Sequence, residues 1–248
     1  MLSKKNLRQE VPLPAELTLD SVYKALEKTQ DLFSLIKDKT GVALSKIIQS
    51  NNFSGIVSNV FTKMLDECSP YKAFSDQRYP DLKNMNNGIG LEVKASNKPL
   101  KGGEGHNGHS GWHIVVCFVI LENGNIDFSQ VEIANLNGFE QKNSDWKYQG
   151  SKRNENDSQR TETYITTNIG TAKLRDGTIY LNPEYCTITE SLKRNRKKLD
   201  LKIPHYSIFA DYLGYDCIGV EKDPEFYQQS LKAIPKLSRL YGQTTLQI

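Results

Sequence analysis

Apolar positions change period several times along the chain, and each change marks an element. From Thr18, the residues Leu19, Val22, Tyr23, Leu26, Leu32, Phe33, Leu35 and Ile36 recur at helical spacing. Thr18 or Asp20 is placed to cap that helix, and Gly41 ends it. A short helix follows over residues 42–49. Ile56, Val57, Val60, Phe61, Met64 and Leu65 predict a second long helix, capped by Ser54 and stopped at Ser69-Pro70. Residues 112–121, W-H-I-V-V-C-F-V-I-L, are apolar almost throughout, the pattern of a central strand buried on both faces. A turn around Asn123-Gly124 returns the chain into a partner strand over 126–134. Residues 163–173 read as a strand, 174–178 as a hairpin turn, and 179–181 as the return. A strand near 217–220 and a final helix over 225–240, interrupted at Pro235, close the pattern. The fold class expected is α/β: a mixed central β-sheet flanked by helices, with hairpins and loops at its rim, as one domain over residues 1–248.

Composition narrows the class further. With 38% hydrophobic and 25% charged residues the chain is ordinary for a soluble globular protein. The longest apolar run, 114–121, is too short to span a membrane, so no membrane partner is expected. Cys68, Cys117, Cys186 and Cys217 are widely spaced, and the N-terminus lacks an apolar signal core, which points to free thiols in a reducing cytoplasmic setting. The net charge is +3, unevenly spread: residues 142–202 carry thirteen Lys/Arg against eight Asp/Glu. A basic second half suits a phosphodiester substrate.

The chemistry concentrates in residues 79–94, Y-P-D-L-K-N-M-N-N-G-I-G-L-E-V-K. Glu92 and Lys94 are two apart in a short apolar strand, so they project from one face while Val93 packs behind. Asp81 returns beside them if the segments on either side of the Gly88–Gly90 turn pair. Two carboxylates and an ammonium at one edge suit Mg²⁺, which takes carboxylate oxygens and keeps waters for phosphate. The plainer reading is an exposed hairpin with a surface ion pair. Pro80-Asp81 followed by Glu92-Val93-Lys94 resembles the PD-(D/E)XK nucleases, the superfamily that holds most type II restriction endonucleases. The resemblance covers residues 55–135. It implies a restriction-endonuclease-like core, Asp81, Glu92 and Lys94 as catalytic residues, and one or two Mg²⁺ ions on Asp81 and Glu92. A further acid from the preceding helix, Asp66 or Glu67, is expected to complete the metal site. It also implies sequence-specific cleavage of double-stranded DNA by a homodimer, the N-terminal helices being the expected interface. A repair or recombination nuclease of the same superfamily and a non-catalytic DNA-binding protein are the alternatives.

Recognition is expected from two regions, residues 97–113 and 140–200. The first holds Lys98, Lys101, His106, His109 and His113 among glycines that allow close backbone approach to phosphate. The H-x₂-H-x₃-H spacing with Glu104 also admits a zinc reading, ranked below DNA contact. The second holds Lys152, Arg153, Asn154 and Arg160, then Asn168, Lys173 and Arg175, side chains that contact phosphate and base edges. Lys193, Arg194, Arg196, Lys197 and Lys198 read as a phosphate-contacting patch or a solvated helix face.

Overall fold

Thr18 caps the first helix in the manner the sequence predicts. Its Oγ1 accepts from the Ser21 amide at 3.1 Å, while Ser21 Oγ accepts from the Thr18 amide at 3.2 Å, so two otherwise orphaned amides are satisfied reciprocally. In this computed structural model, which describes residues 2–74, 79–101, 104–105, 108–150 and 163–213, helix α1 spans Leu19–Thr40. A single turn, α2 (Leu44–Ile47), replaces the longer helix expected over 42–49. Helix α3 spans Ser50–Cys68, starting a turn earlier than expected. Ser54 is therefore not its cap; the hydroxyl lies inside the helix and donates to the Ser50 carbonyl at 3.4 Å.

Among the described residues nine strands follow: β1 (Tyr71–Ala73), β2 (Leu82–Asn84), β3 (Gly90–Ser96), β4 (Glu104–Gly105), β5 (Gly111–Ile120), β6 (Ile126–Leu136), β7 (Trp146–Tyr148), β8 (Tyr164–Thr166) and β9 (Thr178–Leu181). Helices α4 (Asn168–Asp176), α5 (Glu190–Lys197) and α6 (Ile208–Leu213) are interleaved with or follow the last of them. Six strands form a mixed sheet in the order β1-β2-β3-β5-β6-β9, and β4-β8-β7 form a second, small sheet. Strands β3 and β5 run parallel while their neighbours are antiparallel. A parallel pair needs a crossover of about a dozen residues or more, which is why residues 97–110 intervene.

Helices α1 and α3 cover one face of the large sheet. Val22, Leu26, Phe33, Phe53, Val57, Phe61 and Leu65 pack on Leu91, Val93, Ile114, Val116, Phe118, Val131 and Ile133. Phe53 sits edge-on between Phe33 at 5.5 Å and Phe118 at 5.7 Å. The opposite face carries Val115, Cys117, Ala134 and Leu136 beneath Trp146, Tyr164 and Leu174. β5 is thus buried on both faces, as its apolar run predicts. Residues 1–213 form one compact unit; the expected strand near 217–220, the final helix and Cys217 lie outside the described residues. Cys68, Cys117 and Cys186 are free thiols. No helix among the described residues is long and apolar enough to cross a membrane.

One expected element is replaced. Residues 163–173 are not a single strand with a hairpin at 174–178. β8 ends at Thr166, and Thr167 caps α4 by accepting from the Gly170 amide at 3.1 Å. The β-branched threonines favour a strand locally, but a Thr hydroxyl is also a good helix cap, and tertiary packing of Ala172 and Leu174 decides between the two. β9 accordingly pairs with β6 rather than with the 163–173 segment.

A polar cluster is enclosed on that second face. Gln130 accepts from the Leu100 amide at 2.8 Å and donates to Glu132 Oε1 and Thr178 Oγ1, both at 2.9 Å. Glu132 is fully buried, and its Oε2 has no hydrogen-bond partner among the described residues. Burial pushes its carboxyl up to about 7, against the opposing pull of Arg175 and the Gln130 hydrogen bond. The folded state therefore keeps a proton that the unfolded chain releases. Its contribution favours folding at low pH and is lost as pH rises from the unfolded value of 4.5 through about 7. The loss is on the order of 3 kcal/mol. Glu132→Gln should remove that fall, so the difference in melting temperature between variant and parent should widen in the variant's favour across this window. Parallel curves would show that Glu132 ionises without cost.

Candidate active site

The site begins where the pairing of β2 with β3 stops. Leu82 pairs with Leu91, and the Asn84 amide donates to the Ile89 carbonyl at 2.8 Å, so alternate positions are the hydrogen-bonded ones. Extending that register by two places sets Pro80 opposite Val93. Proline has no amide to donate, so the ladder ends there and the Val93 carbonyl is left without a β2 donor, while the Val93 amide also finds its acceptor outside the ladder. Two side chains take them up. Asp81 Oδ2 accepts from the Val93 amide at 2.8 Å, and Ser58 Oγ on α3 donates to the Val93 carbonyl at 3.1 Å.

Asp81 lies opposite Glu92 in the same register and hence on the same face. The Asp81 amide donates to Glu92 Oε2 at 3.2 Å. Lys94, two positions further, puts its ammonium on Glu92 Oε1 and 3.9 Å from Asp81 Oδ2. The three side chains predicted from the motif are brought together where the β2–β3 ladder ends, with 32%, 13% and 27% of the Asp81, Glu92 and Lys94 side chains exposed. The Asp81 carboxyl is raised above its ordinary 3.8, first by burial and then by the Glu92 charge, with Lys94 and the Val93 amide pulling the other way.

Backbone space permits this arrangement at two glycines. A Cβ on Gly90 would lie 2.4 Å from Pro80 Cγ, and one on Gly111, at φ +126°, would lie 3.1 Å from the Tyr79 hydroxyl. The Tyr79-Pro80 step, a cis peptide, crosses the ends of β3 and β5 because neither strand has a side chain there.

Three aromatic groups that no motif identifies as a unit wall the trio. Tyr79 stacks on His109 with centroids 4.0 Å apart and lies 6.4 Å from His113, which in turn is 5.2 Å from Trp146. Burial, then the Glu92 and Asp81 charges, push the Tyr79 hydroxyl up to about 12, and it donates to the Ser110 carbonyl. His113 follows from the register, being the β5 neighbour of Glu92. Its Nδ1 lies 2.9 Å from the Gly111 carbonyl, an acceptor, so the proton sits on Nδ1. Burial pushes the ring down to about 4, which keeps it neutral at neutral pH. Of the zinc arrangement considered for His106, His109 and His113, His106 lies outside the described residues. Among the described residues no three His, Cys, Asp or Glu side chains are grouped to hold a metal.

The remaining sequence-predicted residues divide sharply. Asp66 is not gathered into the trio: it pairs with Lys72 at 3.3 Å and Lys63 at 3.7 Å, while Glu67 holds Lys28 at 3.0 Å. Ser58, two helical turns earlier on α3, is the residue that reaches β3. Lys98, Lys101 and Asn168 are exposed, as a nucleic-acid contact requires. Lys173 is held by Asp145 at 2.6 Å. Arg175 is turned inward: its Nε donates to the Leu100 carbonyl, and burial lowers its pKa. Arg196 is buried against Asp176, so it leaves the expected phosphate patch and becomes a core ion pair. His106, Lys152, Arg153, Asn154 and Arg160 lie outside the described residues. The chain matches no protein-family model, no curated protein and no solved structure.

Proposed function

We propose that this protein is a type II restriction endonuclease of the PD-(D/E)XK kind, cutting double-stranded DNA by Mg²⁺-dependent phosphodiester hydrolysis. The observation that carries the reading is the meeting of Asp81, Glu92 and Lys94 at a strand edge opened by Pro80. A surface ion pair needs none of that construction. Two acids here face one ammonium; the Asp81 carboxyl is raised first by burial and then by the Glu92 charge, and a divalent cation would offset that second contribution.

The donor set suits Mg²⁺. Asp81 and Glu92 would hold it, leaving other positions to water and phosphate oxygens, as this ion prefers. Bound there, Mg²⁺ supplies charge neutralisation at the phosphate and acidifies water. The chain's own residues do the positioning. The Val93 amide orients Asp81, and the Asp81 amide orients Glu92. Lys94 stands where its ammonium stabilises charge building on a phosphate oxygen or orients the attacking water. Tyr79, stacked on His109, stands close enough to feel the charges of both acids. Lys98, Lys101 and Asn168 supply exposed groups for the DNA backbone and base edges. A homodimer reading a palindrome is the assembly this function implies.

Digestion of phage DNA by the purified protein, with Mg²⁺ and with EDTA, tests the proposal. Discrete fragments that require Mg²⁺ are expected. A metal-dependent smear, or nicking only at DNA junctions, would place the chain with repair nucleases instead. Intact DNA under all conditions would remove the hydrolytic reading.

A further inference from the structure

Beside the trio lies a hollow of about 750 Å³, within the range of small-molecule sites. Phe74, Tyr79, Ile89 and Trp112 form its apolar lining, with Lys83 and Asn135 among its polar groups. Tyr79 and Pro80 are shared with the candidate active site, since Asp81 is the next residue, so the hollow and the trio meet along one wall. Trp112 also packs on the core, but Phe74 and Tyr79 are not spent there. Phe74 is 43% and Tyr79 37% exposed, an unusual amount of aromatic surface to leave open at a polar edge.

We propose that this hollow receives an unpaired nucleobase from the nucleic acid whose backbone lies at the trio; the choice of nucleic acid rests on the function proposed above. The chemistry fits a base better than the other parts of such a substrate. Aromatic faces stack on a flat π-system and gain little from phosphate or sugar. Asn135 carries both a donor and an acceptor, as a base edge requires, and Lys83 supplies a cation for an adjoining phosphate. The register dictates the placement. Gly90 and Gly111 lack side chains at the strand ends, and Tyr79-Pro80 crosses them, so one face of this segment lines the hollow while the next residue enters the trio. A base held there is out of its stack, and the protein contacts offset the unstacking.

Binding can be read without cleavage. In EDTA, tryptophan fluorescence is followed as an oligothymidylate is added, and separately as an abasic oligonucleotide of the same length is added; Trp112 lines the hollow and serves as the reporter. The base-bearing strand should bind about 10-fold more tightly than the abasic one, and Phe74→Ala should erase most of that difference. Phe74 is exposed and takes no part in the core on either face of the large sheet, and circular dichroism checks that the variant folds. Equal binding of the two strands, or a base preference untouched by Phe74→Ala, would overturn the proposal. The two readings fail separately. Mg²⁺-dependent cleavage without base-dependent binding sinks the hollow and leaves the nuclease. Base-dependent binding lost in Phe74→Ala, in a protein that cuts nothing, upholds the hollow and removes the nuclease.

Discussion

Lys94→Ala should slow DNA cleavage by about 10³-fold while DNA binding persists. Lys94 is the cation that sits against both acids, on Glu92 Oε1 and 3.9 Å from Asp81 Oδ2. Its loss has two effects. A donor is removed from the place where negative charge builds on the phosphate. The Asp81 carboxyl, already raised by burial and by Glu92, also loses the charge that pulls it down. A raised carboxyl holds its proton to higher pH, so a metal must displace that proton before it binds. The variant should therefore require more Mg²⁺ than the parent, and the extra requirement should shrink as pH rises. Single-turnover cleavage of a fixed duplex, measured over Mg²⁺ concentration and pH, checks both effects. A rate within about threefold of the parent would exclude Lys94 from the chemistry.

Arg196→Met should cost about 3–5 kcal/mol of stability, although Arg196 belongs to the most basic run in the chain. Its Nε and Nη2 contact the two oxygens of Asp176 at 3.2 and 2.6 Å, and Ser207 Oγ adds a third bond to Asp176 at 2.8 Å. Both side chains are nearly inaccessible, 2% and 7% exposed. Removing the guanidinium leaves a buried carboxylate with one hydroxyl, and that uncompensated charge is what costs. For a chain of this size the melting temperature should fall by roughly 6–20 °C. Arg196→Met combined with Asp176→Asn should recover much of the loss, because a neutral amide at that position needs no counter-ion and its carbonyl can still accept from Ser207. A stable single variant whose DNA affinity shows a shallower salt dependence would instead return Arg196 to the phosphate-contacting role.

Much of this architecture is legible in the order of residues. The Thr18 cap, the helical period of α1, the near-continuous apolarity of β5 and the turn at Asn123-Gly124 are local signals, and each leads to the element it predicts. The candidate trio is equally legible. Side-chain alternation in a strand places Glu92 and Lys94 on one face whatever the rest of the chain does, and a proline before Asp81 ends any pairing there. The tertiary structure decided the rest, because those outcomes depend on partners distant in sequence. Whether 167–177 is strand or helix turned on whether Thr167 capped and Leu174 packed. Which basic residues face solvent turned on where acids and carbonyls lie: Asp176 claims Arg196, Asp145 claims Lys173, and the Leu100 carbonyl claims Arg175. The wall of Tyr79, His109 and His113 required the parallel pairing of β3 with β5, and the buried Glu132 required the packing that encloses it. Sequence alone determined which local structures and which close-spaced chemistry were available. Only packing decided which charges were buried and paired, because the cost of desolvating a charge is set by its surroundings rather than by its neighbours in the chain.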